Sequence, residues 1–129
     1  MYNLLVSGSD EAWTGEEFTL EASRCVNEYT DDEIRKSLGS FSSEAKSKIL
    51  QLPSIFAYED QCKKDPKFGK IVDITLRQKK VRIEYKIFES TSSLTMANLQ
   101  ELQFELDIGK WEMSRTHWAI KNVDLFHEL

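Results

Sequence analysis

The chain has 129 residues, 40% hydrophobic and 30% charged, with a net charge of −5 and a pI near 5.1. That suits a single domain over residues 1–129 with a real core, and it excludes a disordered chain. The acidic balance excludes attraction of nucleic acid by bulk charge, so any such contact needs a local basic patch.

The opening MYNLLVSGSD has no basic flank and no long apolar run, unlike a signal peptide, and no window reaches the ~18 apolar residues of a membrane span. A cytoplasmic protein is expected, with Cys25 and Cys62 as reduced thiols. Residues 2–6 read as an apolar strand stopped by the turn cluster Ser7-Gly8-Ser9-Asp10. In 13–25, Phe18 and Leu20 alternate with Thr19 and Glu21, which suggests a brief strand. Thr30-Asp31-Asp32-Glu33 has the form of a capping box, with Ile34 and Leu38 on one helical face and Gly39 as the stop. A second helix is expected over 43–51, with Ala45, Ile49 and Leu52 at helical spacing and Pro53 ending it. Residues 55–58 read as a strand and 59–67 as a polar loop.

Residues 68–88, FGKIVDITLRQKKVRIEYKIF, are the most informative stretch. Val72, Ile74 and Leu76 alternate with Asp73, Thr75 and Arg77; Val81, Ile83, Tyr85 and Ile87 alternate with Arg82, Glu84 and Lys86. Two period-two runs joined by Gln78, Lys79 and Lys80 predict an antiparallel hairpin with one apolar and one charged face. Charge pairing favours the register that sets Asp73 opposite Lys86 over the one that sets it opposite Glu84. Residues 90–93 are a connecting loop. Thr95 can cap a third helix over 96–107, with Leu99, Leu102 and Leu106 as its buried stripe and Gly109 as the stop. A strand is expected at 117–121, then a helical turn after Asp124. The fold class is α+β: a bent antiparallel sheet or small partial barrel built on the hairpin and covered by two or three helices.

Three constellations could carry function. Asp73 with Glu84 and Lys86 matches the core of PD-(D/E)xK nucleases, where two carboxylates hold Mg²⁺ and a lysine orients water. On the other reading they form a solvated sheet face with a cross-strand ion pair. Arg77, Lys79, Lys80 and Arg82 head a basic cluster, with Lys63, Lys64, Lys67, Lys70 and Lys86, that could follow a phosphate backbone; it could equally keep a sheet edge soluble. Trp111, Arg115 and His117, followed by Trp118, combine the residue types that anchor recognition surfaces. Alternatively, both indoles close the core around the third helix. Cys25, Cys62, His117 and His127 lack paired metal-ligand spacing, and the five glycines form no phosphate loop, so no metal or cofactor is expected.

The C-terminal block 104–125, FELDIGKWEMSRTHWAIKNVDL, resembles part of a small bacterial module of uncertain function. So do 24–30 (RCVNEYT), 52–59 (LPSIFAYE) and the hairpin, in the same order. That module stands alone or precedes effector domains, including ones similar to Toll/interleukin-1 receptor domains, in proteins associated with defence against phage. The resemblance implies a setting accessory to an effector and transfers no catalytic residue. The function expected is a non-enzymatic recognition module that meets a protein partner or effector through residues 115–117 and the outer hairpin face. Nucleic-acid binding through the basic hairpin and a Mg²⁺-dependent nuclease are the alternatives.

Overall fold

The structure is a computed structural model that describes residues 1–89 and 94–129; the loop expected at 90–93 lies outside the described residues. The two alternating runs do pair. Strand β4 (Lys67–Arg77) turns back through Gln78 and Lys79 into β5 (Lys80–Ile87). Ile74 and Ile83, directly opposite each other, are 1% and 0% exposed. Four further strands extend this hairpin: β1 (Tyr2–Ser7), β2 (Glu17–Glu21), β3 (Ser54–Tyr58) and β6 (His117–Lys121). The sheet order is β2-β5-β4-β3-β1-β6. It is open rather than closed, and mixed: β1 and β3 run parallel, and every other neighbouring pair is antiparallel. Helices α1 (Asp32–Leu38), α2 (Ser43–Leu50), α3 (Met96–Glu101) and α4 (Leu125–Glu128) complete an α+β fold.

The sheet has two regimes of burial. Strands β1, β3 and β6 are buried throughout their length. Their successive side chains point to opposite faces, and both faces are covered. Leu5, Phe56, Trp118 and Ile120 join Ile34, Leu38, Ala45 and Ile49 of α1 and α2 on one side. Tyr2, Leu4, Val6 and Ile55 join Leu99, Leu106, Ile108, Met113 and Leu125 on the other. Beyond Gly69 the arm β2-β5-β4 is, among the described residues, covered only on the α1/α2 side, by the same cluster through Leu20, Ile71, Ile74, Val81 and Ile83. Its other face stays wet. Trp13, in left-handed backbone (φ 64), anchors the arm's inner end: its indole N–H donates to the Ala57 carbonyl at 2.7 Å, and its ring lies 4.6–5.4 Å from Phe18, Phe56 and Tyr85.

Four expectations need correction. Asp73 lies opposite Glu84, not Lys86, whose partner is Lys70. The Gln78-Lys79 turn pins Arg77 against Lys80, so Val81 packs between Leu76 and Leu20 and is fully buried. The favoured register would have set Val81 against Gln78 at the tip. Burying a valine is worth roughly 1.5–3 kcal/mol, more than the few tenths to ~1 kcal/mol at stake in an exposed charge pair. Second, the strict alternation of β4 fails at a bulge between Ile71 and Asp73. Val72, the extra residue, is 49% exposed and Ile71 takes its place in the core; Leu76, near the tip, is 46% exposed. Third, α1 is preceded by Asp31, which makes no side-chain cap. The Thr30 hydroxyl is spent elsewhere, accepting from Ile120 N at 3.3 Å and donating to the Glu28 carbonyl. Fourth, α3 stops at Glu101 rather than Asp107. Turns then carry Leu106 beneath Tyr2, whose hydroxyl donates to the Leu106 carbonyl at 2.7 Å, and Asp107 adopts left-handed backbone (φ 59).

Candidate functional site

The bare face of the arm is built by register. Its rows cross three strands. Nearest the tip are Arg77, Lys80 and Glu21; next Thr75, Arg82 and Thr19; then Asp73, Glu84 and Glu17. Beyond the bulge, Lys70 faces Lys86. Apart from the half-buried Thr75 and Glu84, all of these are exposed. The face is therefore banded, with an all-acidic row between two basic zones. Around the tip, Arg77, Lys79, Lys80 and Arg82 converge with Thr19, Glu21, Thr75 and Gln78 on a groove of about 920 Å³. The hydroxyl of Thr75 accepts from the Arg82 guanidinium at 3.4 Å.

Asp73, Glu84 and Lys86 do share the face, as expected from parity. Asp73, however, turns one carboxylate oxygen back to accept from Ile74 N at 2.9 Å. Among the described residues, no three His, Cys, Asp or Glu side chains converge as metal ligands. The sequence reading overlooked Glu17 and Glu21 as members of this face. The alternation of Phe18 and Leu20 carried the signal, because it puts Glu17, Thr19 and Glu21 on one side of β2.

The expected segment around Arg115 divides. His117 is 0% exposed and cannot meet a partner, which corrects its reading as a contact residue. Its Nδ1 lies 2.6 Å from the Arg115 carbonyl oxygen and its Nε2 lies 2.7 Å from Glu112 Oε2. A carbonyl only accepts, so Nδ1 carries a proton, and one further proton lies between Nε2 and the carboxyl. Glu112, also 0% exposed, takes Lys121 Nζ on its other oxygen at 2.8 Å together with the Gly109 N–H at 3.0 Å. Lys121 also donates to the Tyr29 carbonyl at 2.6 Å, and the Tyr29 ring lies 5.2 Å from that of His117. This network ties the 3₁₀ turn at Glu112–Ser114 to β6 and to the chain before α1. The side chains of Glu112, His117 and Lys121 are at most 3% exposed and each is hydrogen-bonded, while Glu112 and Lys121 also line a pocket of about 470 Å³ with Tyr29, Asp31 and Asp107. Nothing in the spacing of Glu112, His117 and Lys121 along the sequence marked this network.

Arg115 is partly exposed and gripped by Glu28, its Nε 2.7 Å from the carboxylate; that hydrogen bond raises its pKa. The two tryptophans part company. Trp118 is fully buried, its indole N–H donating to Asn3 Oδ1 at 3.0 Å and its ring stacked on Phe41, whereas Trp111 is 69% exposed with Lys110 Nζ 5.0 Å from its centre. Both cysteines are free; burial pushes the Cys25 thiol up to about 12, which makes it a poor nucleophile. Among the described residues, no helix is long and apolar enough to cross a membrane.

Comparison with known protein families, with curated proteins and with solved structures finds no match to this chain.

Proposed function

We propose that the protein is a recognition module that meets a protein partner through the bare face of β2, β5 and β4. The observation that carries this reading is the banding: Asp73, Glu84 and Glu17 form an acidic row between Arg82 on one side and Lys86 with Lys70 on the other. Charge of alternating sign on an uncovered face selects a partner by electrostatic complementarity and fixes its register. It suits a protein surface with matching bands better than a phosphate backbone, which would have to cross three carboxylates. The defence setting implied by the resemblance belongs to the same proposal and rests on the resemblance alone.

The test is a charge reversal that spares the core. Arg82→Glu with Lys86→Glu alters exposed side chains only, so the amide spectrum should keep its dispersion. Proteins captured by the wild-type chain as bait should be lost from the variant. Identical captured sets would overturn the reading. Nucleic-acid binding is favoured by one observation, the convergence of four cations on the tip groove. It requires affinity for a labelled oligonucleotide at ~50 mM salt that falls steeply as salt rises; a flat titration removes it.

A further inference from the structure

Strand β2 is an open edge of the sheet. Among the described residues it pairs only with β5, and the hydrogen-bond parity is set by its flanks: Tyr85 N donates to the Glu16 carbonyl at 2.9 Å and Ala22 N to the Lys79 carbonyl at 2.7 Å. In an antiparallel ladder bonded pairs alternate. Phe18 and Leu20 therefore bond to Ile83 and Val81 of β5, while Glu17, Thr19 and Glu21 turn their N–H and C=O groups outward. All three are exposed. The opposite edge, β6, is closed by the chain before α1. Val26 N donates to the Trp118 carbonyl at 2.7 Å, Ile120 N donates to the Thr30 hydroxyl, and the Lys121 ammonium reaches the Tyr29 carbonyl. Among the described residues, then, β2 offers a row of free edge groups; the outer half of β4, beyond its last pair with β3 at Gly69, offers another, on which the Ile74 N–H is taken by the Asp73 carboxylate.

We infer that β2 accepts an added strand from the partner, and that this strand carries two basic residues four positions apart with apolar residues next to each. The inference rests on the recognition reading above and names its mode and the partner's chemistry. An incoming strand must satisfy the outward groups of Glu17, Thr19 and Glu21, and its own side chains alternate like those of β2. Opposite Glu17 and Glu21, on the banded face, the complement is Lys or Arg. Opposite Phe18 and Leu20, on the covered face, the complement is apolar. The need is greatest at Glu17, whose row with Glu84 and Asp73 holds no cation.

Strand β5 already displays most of this pattern from the other side. Lys80 faces Glu21, Val81 faces Leu20, Arg82 faces Thr19 and Ile83 faces Phe18; only Glu84, facing Glu17, departs from it. A second copy of β2 is the wrong occupant. Antiparallel pairing about Thr19 sets Glu17 against Glu21 of the other copy twice, and parallel pairing in register sets each glutamate against itself. Like charges directly opposed are unfavourable.

The test uses the whole ¹⁵N-labelled protein and a capped synthetic peptide with the sequence of residues 79–85 carrying Glu84→Lys. Binding should protect the Glu17, Thr19 and Glu21 amides from hydrogen exchange and leave Ala119 in β6 unchanged. Thr19→Pro removes an outward N–H without touching the ladder to β5, so it should keep the fold and weaken the peptide at least tenfold. Glu17→Lys with Glu21→Lys should reverse the preference, so that a peptide with glutamate in place of both facing lysines binds better. No protection at millimolar peptide, or equal binding by the Thr19→Pro variant, would overturn strand addition. Protection that grows with protein concentration in the absence of peptide would overturn it in favour of self-pairing. If strand addition fails while the Arg82→Glu, Lys86→Glu variant still loses a captured partner, the recognition reading stands and only its mode falls.

Discussion

Replacing Glu112 by glutamine should cost about 3–5 kcal/mol of stability, the toll of breaking a buried ion pair from one side. Glutamine keeps the shape and one acceptor oxygen but not the charge. It leaves Lys121 almost wholly buried and His117 wholly so, with no anion between them. Marginal stability of ~0.05–0.15 kcal/mol per residue gives this chain roughly 6–19 kcal/mol in all, so the loss is a large share of the total. The assay is urea unfolding followed by tryptophan fluorescence, with Trp118 next in sequence to His117. Screening barely reaches a buried site, so the cost should be the same at low and high salt. Adding Lys121→Met removes the stranded cation and should restore about 2 kcal/mol or more, a coupling expected only between residues in contact. A cost below about 1 kcal/mol, or strict additivity in the double variant, would refute the reasoning.

Trp118→Ala should cost about 3–5 kcal/mol as a core truncation, while Trp111→Ala should stay within about 0.5 kcal/mol in the same unfolding assay. Gly69→Ala should destabilise by at least about 2 kcal/mol, because a Cβ there would sit 2.2 Å from the Lys86 carbonyl oxygen and 2.9 Å from the Phe56 ring. Gly15→Ala, with nothing within 4 Å, is the control. Cys25 gives a pH test. Its folded thiol is raised above the ordinary value of 9.0, so its contribution is intact below pH 9 and is lost as pH climbs towards about 12. Cys25→Ala should flatten the alkaline decline by up to ~1.4 kcal/mol per pH unit in that window, and unchanged slopes would refute it. Deleting Val72 should still give a cooperative melt within about 1 kcal/mol of the wild type, since Ile71-in, Asp73-out, Ile74-in alternation survives. Deleting Thr75 moves one side of the strand to the wrong face and should abolish cooperative unfolding.

Local chemistry carried most of the secondary structure. The β4–β5 hairpin, α2 ended before Pro53, the Thr95 cap of α3 and β6 each follow from short-range signals, namely alternation, helical spacing, a capping side chain and proline. A bulge leaves no mark in such signals, because Val72 is as apolar as Ile71 and only the partner strand decides which is the extra residue. The Thr30 hydroxyl shows the same competition: its sequence neighbours offer it a helix to cap, and β6, ninety residues away, takes it.

The sequence by itself determined that residues 68–88 fold back with an aliphatic and an ionic side, because a period of two admits no other burial. Only the tertiary structure decided which parts of that ionic side line up, which tryptophan is exposed, that His117 lies against Glu112 and Lys121, and that β2 is left as a free edge. Those outcomes depend on strand order and on which surface the helices occupy. Contacts between residues distant in the chain set both, and no window of sequence contains them.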